Sequence, residues 1–280
     1  MRIFHSIEEC RSWRINQKHT VGFVPTMGAL HHGHLSLVDL SIKKCEKTIV
    51  SIFINPTQFA KNEDFDSYPQ TIDEDLKLLK IKNIDAVFLP NKEQMYNEKS
   101  KDYFFESQLC YKLEGKSRPH FFKGVTTIVH KLFNIIKPTH VVFGQKDAQQ
   151  LLIIDKMIKK KHPSIRLIRG ATVRDSNGLA LSSRNNYLSN KDRLLASNVC
   201  AGLVQIKKSI DNGNEDTKDL KKIFIDFIST FPGLSIDYIS IADIKTLEEV
   251  NKIERQVLIS TAVFLSRVRL IDNLTYPLST

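Results

Sequence analysis

Ten consecutive residues carry the densest chemistry in the chain: Pro25-Thr26-Met27-Gly28-Ala29-Leu30-His31-His32-Gly33-His34. The apolar stretch at 21–25 leads into them and reads as a strand. Behind them Leu35, Val38 and Ile42 recur at helical spacing. A turn between a strand and a helix presents the unpaired N–H groups of the helix start, where a phosphate can accept from them. Gly28 and Gly33 let backbone approach a ligand closely. Imidazoles at His31 and His34 can hydrogen-bond phosphate oxygens and stabilise charge that develops on them. Three surface histidines, or a metal-binding pair, are the competing readings. A metal needs a third or fourth ligand, and no neighbouring cluster of Cys, His or Asp supplies one.

Other polar groups sit where apolar stretches end. Asn55 and Gln58 follow an apolar run at 48–54, with Pro56 stiffening the turn between them. An amide both donates and accepts, which suits a substrate with hydroxyls and a carboxylate; a simple turn pair is the alternative. Gly144-Gln145-Lys146-Asp147 follows the apolar run at 139–144, and Gln150 lies one turn further on. Lys146 offers a cation, and Asp147 can cap the next helix or accept from a ribose hydroxyl. Ser182-Ser183-Arg184-Asn185 combines hydroxyls with a guanidinium, a set that suits triphosphate oxygens and equally reads as a helix start. Glu74 and Asp75, beside Asp73 in the first turn of a helix, are the carboxylates expected to hold Mg²⁺, though acids there also favour the helix dipole.

The elements that must position these groups alternate in type. Short apolar strands at 21–25, 48–54, 84–90, 139–144 and 165–170 are separated by helical patterns at 33–45, 73–82, 125–136 and 147–160. Near-continuous apolar strands with helices between them predict an α/β fold: a Rossmann-like parallel sheet with helices on both faces. Ligands in such folds bind at the carboxyl ends of the strands, where the polar turns lie. Beyond residue 172 the pattern changes to helices at 191–210 and 217–231, then strands at 236–243, 256–265 and 267–272. Two domains follow: 1–172, the Rossmann-like nucleotide- and acid-binding domain, and 173–280, a smaller C-terminal α+β domain expected to act as a lid. Asp175-Ser176-Asn177-Gly178 marks the hinge region.

Composition narrows the class. The 280 residues are 41% hydrophobic and 26% charged, an ordinary globular balance. No apolar run reaches the roughly 20 residues that span a bilayer, and the polar N-terminus lacks a signal-peptide core. Cys10, Cys45, Cys110 and Cys200 lack paired spacing and read as reduced thiols of a cytoplasmic protein. The net charge of +10 invites a nucleic-acid reading. The lysines are dispersed, however, and the densest run, Lys159-Lys160-Lys161, sits at a helix end where cations suit the dipole. Neither nucleic acid nor membrane is expected as a partner.

The histidine turn resembles the HxGH signature of the nucleotidyltransferase superfamily, and the longer string PTMGALHHGH resembles the pantoate–β-alanine ligases. FINPTQF at 53–59, FGQKDAQQ at 143–150 and LALSSRNNYLS at 179–189 extend the resemblance in family order. It implies ATP-dependent condensation of pantoate with β-alanine through a pantoyl-adenylate, with MgATP as co-substrate and a homodimer as the assembly. It assigns 27–34 and 144–147 to ATP, the backbone at Val173 and Leu181 to adenine, and Ser182, Ser183 and Arg184 to a loop that closes over the nucleotide. The catalytic group is then His31, His34, Lys146 and Arg184, with His34 as proton donor. Gln58 and Gln150 bind pantoate, and Pro25, Thr26, Asn55 and Arg118 join them around the substrate. The sequence departs from the family in three places: Leu181 stands where Met is common, Ala60 stands where Gly follows the Gln-Phe pair, and one stretch shifts its histidine. Arg118-Pro119-His120-Phe121-Phe122-Lys123-Gly124-Val125 carries its histidine one place early, leaving Phe121 in the usual histidine slot.

Overall fold

The structure, a computed structural model, describes residues 1–60, 63–96 and 104–276. The chain forms two compact units: residues 1–145 with 149–171, and residues 146–148 with 172–280.

The first unit is built on six parallel strands, β1 (Arg2–Phe4), β2 (Val21–Thr26), β3 (Lys47–Ile52), β4 (Ala86–Phe88), β5 (His140–Gly144) and β6 (Arg166–Gly170). The helices between them are α1 (Ile7–Ile15), α2 (His32–Lys44), α3 (Ile72–Ile81), the single turns α4 (Lys92–Met95) and α5 (Glu114–Ser117), then α6 (Phe121–Ile136) and α7 (Ala148–Lys161). The strand order is β1-β4-β3-β2-β5-β6. The chain steps outward from β2 through β3 to β4, then returns to place β5 on the other side of β2. The winding therefore reverses between β2 and β5, which pair directly through Gly22 with His140 and Phe23 with Val141. At such a reversal the turns leaving the two strands diverge and open a crevice at their carboxyl ends.

Alternation along β2 sends neighbouring side chains to opposite faces. Val24 joins Val50, Val87 and Val142 in a layer with Val38 of α2 and Leu79 of α3. Phe23, on the other face, meets Phe133 of α6 edge-on at 6.4 Å. Helices thus cover both faces, the arrangement expected from the apolar strands.

The second unit holds α8 (Asn190–Ala196), α9 (Asn198–Asp211), α10 (Thr217–Ser229) and the antiparallel strands β7 (Leu234–Asp243), β8 (Val257–Leu265) and β9 (Val268–Tyr276). Its core joins Leu203 and Ile206 of α9 and Leu220 and Phe224 of α10 to Ile241, Ile259 and Val263 of the sheet.

Two local expectations change. β1 and α1 were not anticipated, although Ser6 and Glu9 spell a capping box: the Ser6 hydroxyl accepts from Glu9 N at 3.1 Å and the Glu9 carboxylate from Ser6 N at 3.1 Å. The single helix expected at 191–210 is two helices parted at Ser197. There the Ser197 hydroxyl donates to Leu194 O at 2.7 Å and the Asn198 amide to Leu195 O at 3.0 Å, competing for carbonyls a continuous helix would use. The 175–178 stretch, expected to mark the hinge region, forms the tight tip of a short hairpin. The Asp175 carboxylate accepts from Asn177 N at 2.9 Å and Leu179 N at 3.0 Å, and Leu181 N donates to Val173 O at 2.9 Å.

Candidate active site

The turn after β2 is strained, and one carboxylate holds it. Gly28 (φ +84°) and Ala29 (φ +49°) are both in the left-handed region. Glycine takes that conformation freely, whereas alanine takes it at a steric cost. Asp75, 1% exposed on the first turn of α3, accepts from Ala29 N at 2.9 Å and Leu30 N at 2.7 Å, so the turn's inward-facing donors are satisfied. Burial pushes the Asp75 carboxyl above its ordinary range, while the bonds from Leu30 and Ala29 pull the other way. A Cβ on Gly28 would lie 3.0 Å from the Asp75 carboxylate, so anchor and glycine fit as a pair.

The turn delivers two histidines to the start of α2. His31 is the N-cap, and its Nδ1 accepts from Gly33 N at 3.1 Å. His34 Nδ1 accepts reciprocally from His31 N at 3.4 Å, and the rings stack with centroids 4.0 Å apart. A nitrogen that accepts carries no proton, so this cap requires neutral rings protonated at Nε2. Each imidazole is then an N–H donor beside the positive end of a helix, a pair suited to phosphate oxygens. His32 is exposed at the first helical position and takes no part in the cap.

The turn after β3 is held differently. Asn55 is 1% exposed and caps a short 3₁₀ turn, Pro56–Gln58. Its amide NH₂ donates to Gln58 Oε1 at 2.9 Å and to Gly124 O at 3.1 Å. Its carbonyl accepts from the Tyr96 hydroxyl at 2.6 Å and the Thr57 hydroxyl at 3.0 Å. Gly124 sits inside α6, where glycine costs about 1 kcal/mol relative to alanine. A Cβ there would lie 2.3 Å from Thr57 O and 2.8 Å from Gln58 N, so only glycine lets α6 seat against this turn.

Arg118 clamps the same turn from outside. Its guanidinium forms a two-point pair with Glu63, both distances 2.6 Å, donates to Gln58 O at 3.2 Å and lies 4.0 Å above the Phe121 ring. The shifted motif thus has a physical consequence: Phe121 supports the arginine, while His120 Nε2 is buried with no hydrogen-bond partner among the described residues. Thr26 is likewise occupied, donating to Ser51 O at 2.8 Å and accepting from Gly28 N at 3.2 Å. Asn55, Thr26 and Arg118 were expected around the substrate. Their polar atoms bond to the turns after β2 and β3.

The metal expectation changes for a similar reason. Asp75 commits both oxygens to backbone, Glu74 is exposed, and no group of three or more His, Cys, Asp or Glu among the described residues is placed to hold a metal. Glu74 and Asp75 do not fit as resident Mg²⁺ ligands.

Gly144 ends β5, and Gln145–Asp147 forms a 3₁₀ turn leading into α7. Gln149 was missed in the sequence. It is buried, and its amide bridges Leu109 O (2.6 Å), Lys112 O (2.7 Å) and Glu114 N (3.0 Å). Its neighbour Gln150 is only half-buried. The paired glutamines looked alike as letters, and only the fold separates the strut from the candidate ligand.

In the second unit, the Asn273 amide donates to Lys146 O at 2.8 Å. Arg174 pairs with buried Asp272 at 2.5 and 2.8 Å, fixing the hairpin that carries Val173 and Leu181. Ser182 caps the 3₁₀ turn Ser183–Tyr187 by accepting from Arg184 N at 3.3 Å, and Asn185 donates to Ala180 O at 3.1 Å. Ser183 is buried, so Ser182 and Arg184 are the more accessible members of the set.

Comparison with known proteins gives one answer. Residues 2–275 match the family model described as pantoate–β-alanine ligase. The chain is 45% identical to the pantothenate synthetase of Thermosipho africanus, over 98% of this chain and 99% of that one. It superposes on a pantothenate synthetase structure from Thermus thermophilus with a TM-score of 0.93 and 34% identity, covering 98% and 99% of the two chains. A Francisella tularensis pantoate–β-alanine ligase, solved in complex with β-γ ATP and β-alanine, superposes with a TM-score of 0.80 and 32% identity, over 98% and 97%.

Proposed function

The chain belongs to the pantoate–β-alanine ligase family, and from that membership we propose how its residues divide the ATP-dependent condensation of pantoate with β-alanine. The observation that carries the proposal is the reciprocal His31–His34 cap, which leaves each Nε2 protonated at the start of α2.

In the first half-reaction the pantoate carboxylate attacks the α-phosphorus of MgATP, and pyrophosphate leaves. The attacking carboxylate is already ionised, so the step needs positioning and charge neutralisation rather than a base. His31 and His34 donate to phosphate oxygens, with His34 as the proton donor, and Lys146, Ser182, Ser183 and Arg184 act on the triphosphate. Gly144 to Asp147 and the backbone of Val173 and Leu181 hold the nucleoside. Gln58 and Gln150 hold pantoate. Mg²⁺ enters with the phosphates of the substrate, which needs no protein carboxylate cage. In the second half-reaction the β-alanine amine attacks the mixed anhydride, forming the amide bond and releasing AMP. Residues 173–280 act as a lid that keeps water from the adenylate.

A cytoplasmic homodimer belongs to the same reading. All four cysteines are free thiols, and Cys10, Cys45 and Cys110 are buried; among the described residues no helix is long and apolar enough to cross a membrane. The test is to incubate the protein with ATP, pantoate and β-alanine, omit each in turn, and measure AMP. AMP release that depends on all three is the expected result. Release of pyrophosphate with the nucleotide retained in the product would replace this reading with another nucleotidyl transfer.

A further inference from the structure

Asn55 cannot choose which way its amide faces. Gly124 O only accepts, so the NH₂ must point to it, at 3.1 Å. Thr57 N only donates, and it meets Asn55 Oδ1 at 3.4 Å. With the NH₂ fixed, Gln58 must turn its oxygen to Asn55, at 2.9 Å, which directs its own NH₂ the other way. The shortest bond in the group comes from a residue far along the chain: the Tyr96 hydroxyl donates to Asn55 Oδ1 at 2.6 Å and lies 3.0 Å from the Thr57 hydroxyl. A bond accepted at the carbonyl of an amide polarises it and strengthens what its NH₂ donates. The tyrosine is itself held, since Lys131 Nζ lies 4.2 Å over the ring and donates to Met95 O at 2.7 Å.

We infer that Tyr96 is a positioning residue for the acid substrate: acting through Asn55, it strengthens the bond that holds the Gln58 amide in place, so that Gln58 presents an N–H donor to the oxygens of pantoate. The inference rests on the reading that Gln58 captures pantoate. A locked donor favours a carboxylate or hydroxyl oxygen and disfavours any substrate group that is itself only a donor, so selectivity is built into a residue that never meets the substrate.

The test compares wild type, Tyr96→Phe, Gln58→Ala and the double variant in the AMP-release assay, with thermal midpoints measured beside it. Tyr96→Phe keeps the ring and removes only the hydroxyl. It should raise the pantoate KM roughly three- to tenfold, the scale of one hydrogen bond, while leaving the ATP KM and the thermal midpoint near wild type. Gln58→Ala should raise the pantoate KM further, and adding Tyr96→Phe to it should change nothing more, because the route runs through Gln58. A Tyr96→Phe enzyme with unchanged pantoate KM overturns the inference, as does a tyrosine effect that persists in full without Gln58. An unchanged pantoate KM in Gln58→Ala alone identifies a different failure, that of the substrate reading beneath it.

Discussion

The turns after β2 and β3 leave adjacent strands of one sheet, and each is held by a single buried side chain: Asp75 for the first, Asn55 for the second. The two anchors differ in chemistry because the turns differ in what they offer. The Ala29–Leu30 backbone presents N–H groups, and Thr71 adds a hydroxyl donor at 3.3 Å. A carboxylate, which only accepts, meets all of them. The Asn55 corner mixes the carbonyls of Gly124 and Gln58 with donors from Thr57 and Tyr96, and only an amide can serve both kinds. The identity of a buried polar residue therefore follows from its neighbours' donors and acceptors. On the proposed function, the first turn, with its imidazoles carried at the end, serves reaction chemistry and the second holds the acid.

The largest expected effect separates those roles. His34→Ala removes one donor to the phosphate and should slow pantoate-dependent exchange of pyrophosphate into ATP by about 10²–10³-fold, the scale of losing one charge-stabilising donor. Equilibrium binding of pantoate should survive. An exchange rate close to wild type would end the catalytic role of the turn, and lost pantoate binding would merge the two turns into one function.

Exchanging the anchors' chemistry gives smaller, reciprocal effects. Asp75→Asn turns an NH₂ toward a backbone N–H and leaves that donor unsatisfied, costing about 1–3 kcal/mol of stability. Its kinetic effect should fall on ATP. Asn55→Asp sets a carboxylate against the oxygens of Gly124 and Gln58, at least as costly in stability, and its kinetic effect should fall on pantoate. Urea unfolding and the two KM values measure both. If Asp75→Asn raised the pantoate KM and spared that of ATP, the division between the turns would collapse.

Much of this was legible in the sequence, and the gaps have physical causes. Apolar runs of five or more residues marked β2, β3 and β5, and the polar residues at their ends marked the candidate site. β1 is three residues long, too short for any period to show. The ligand sets were readable as residue types, but whether a polar atom is available depends on partners remote in sequence. Asn55 finds Gly124 and Tyr96, Asp75 reaches back to Ala29 and Leu30, and Arg118 meets Glu63. Those pairings arise only when α3 and α6 pack on the sheet. For that reason the supporting roles of Asn55, Arg118 and Asp75 could not be read from their residue types.

The smallest effect tests whether neutral anchoring extends along α6 beyond the Gln58 turn. His130 Nδ1 and His162 Nε2 lie 2.9 Å apart, and the Asn134 amide meets His130 Nε2 at 2.9 Å. Burial, then the neighbouring His130, lowers the His162 pKa to about 4; burial and Lys161 lower that of His130. In the unfolded chain both rings titrate near their ordinary value of about 6.5. The unfolded state therefore binds protons first as pH falls, so the pair's contribution is complete above about pH 6.5 and drains away toward about 4. Urea midpoints should decline over that window in wild type and decline less in His162→Gln, which stays neutral throughout. Parallel slopes for the two proteins would show that the histidine pair is already accommodated as a charged group and that neutral anchoring stops at the Asn55 corner.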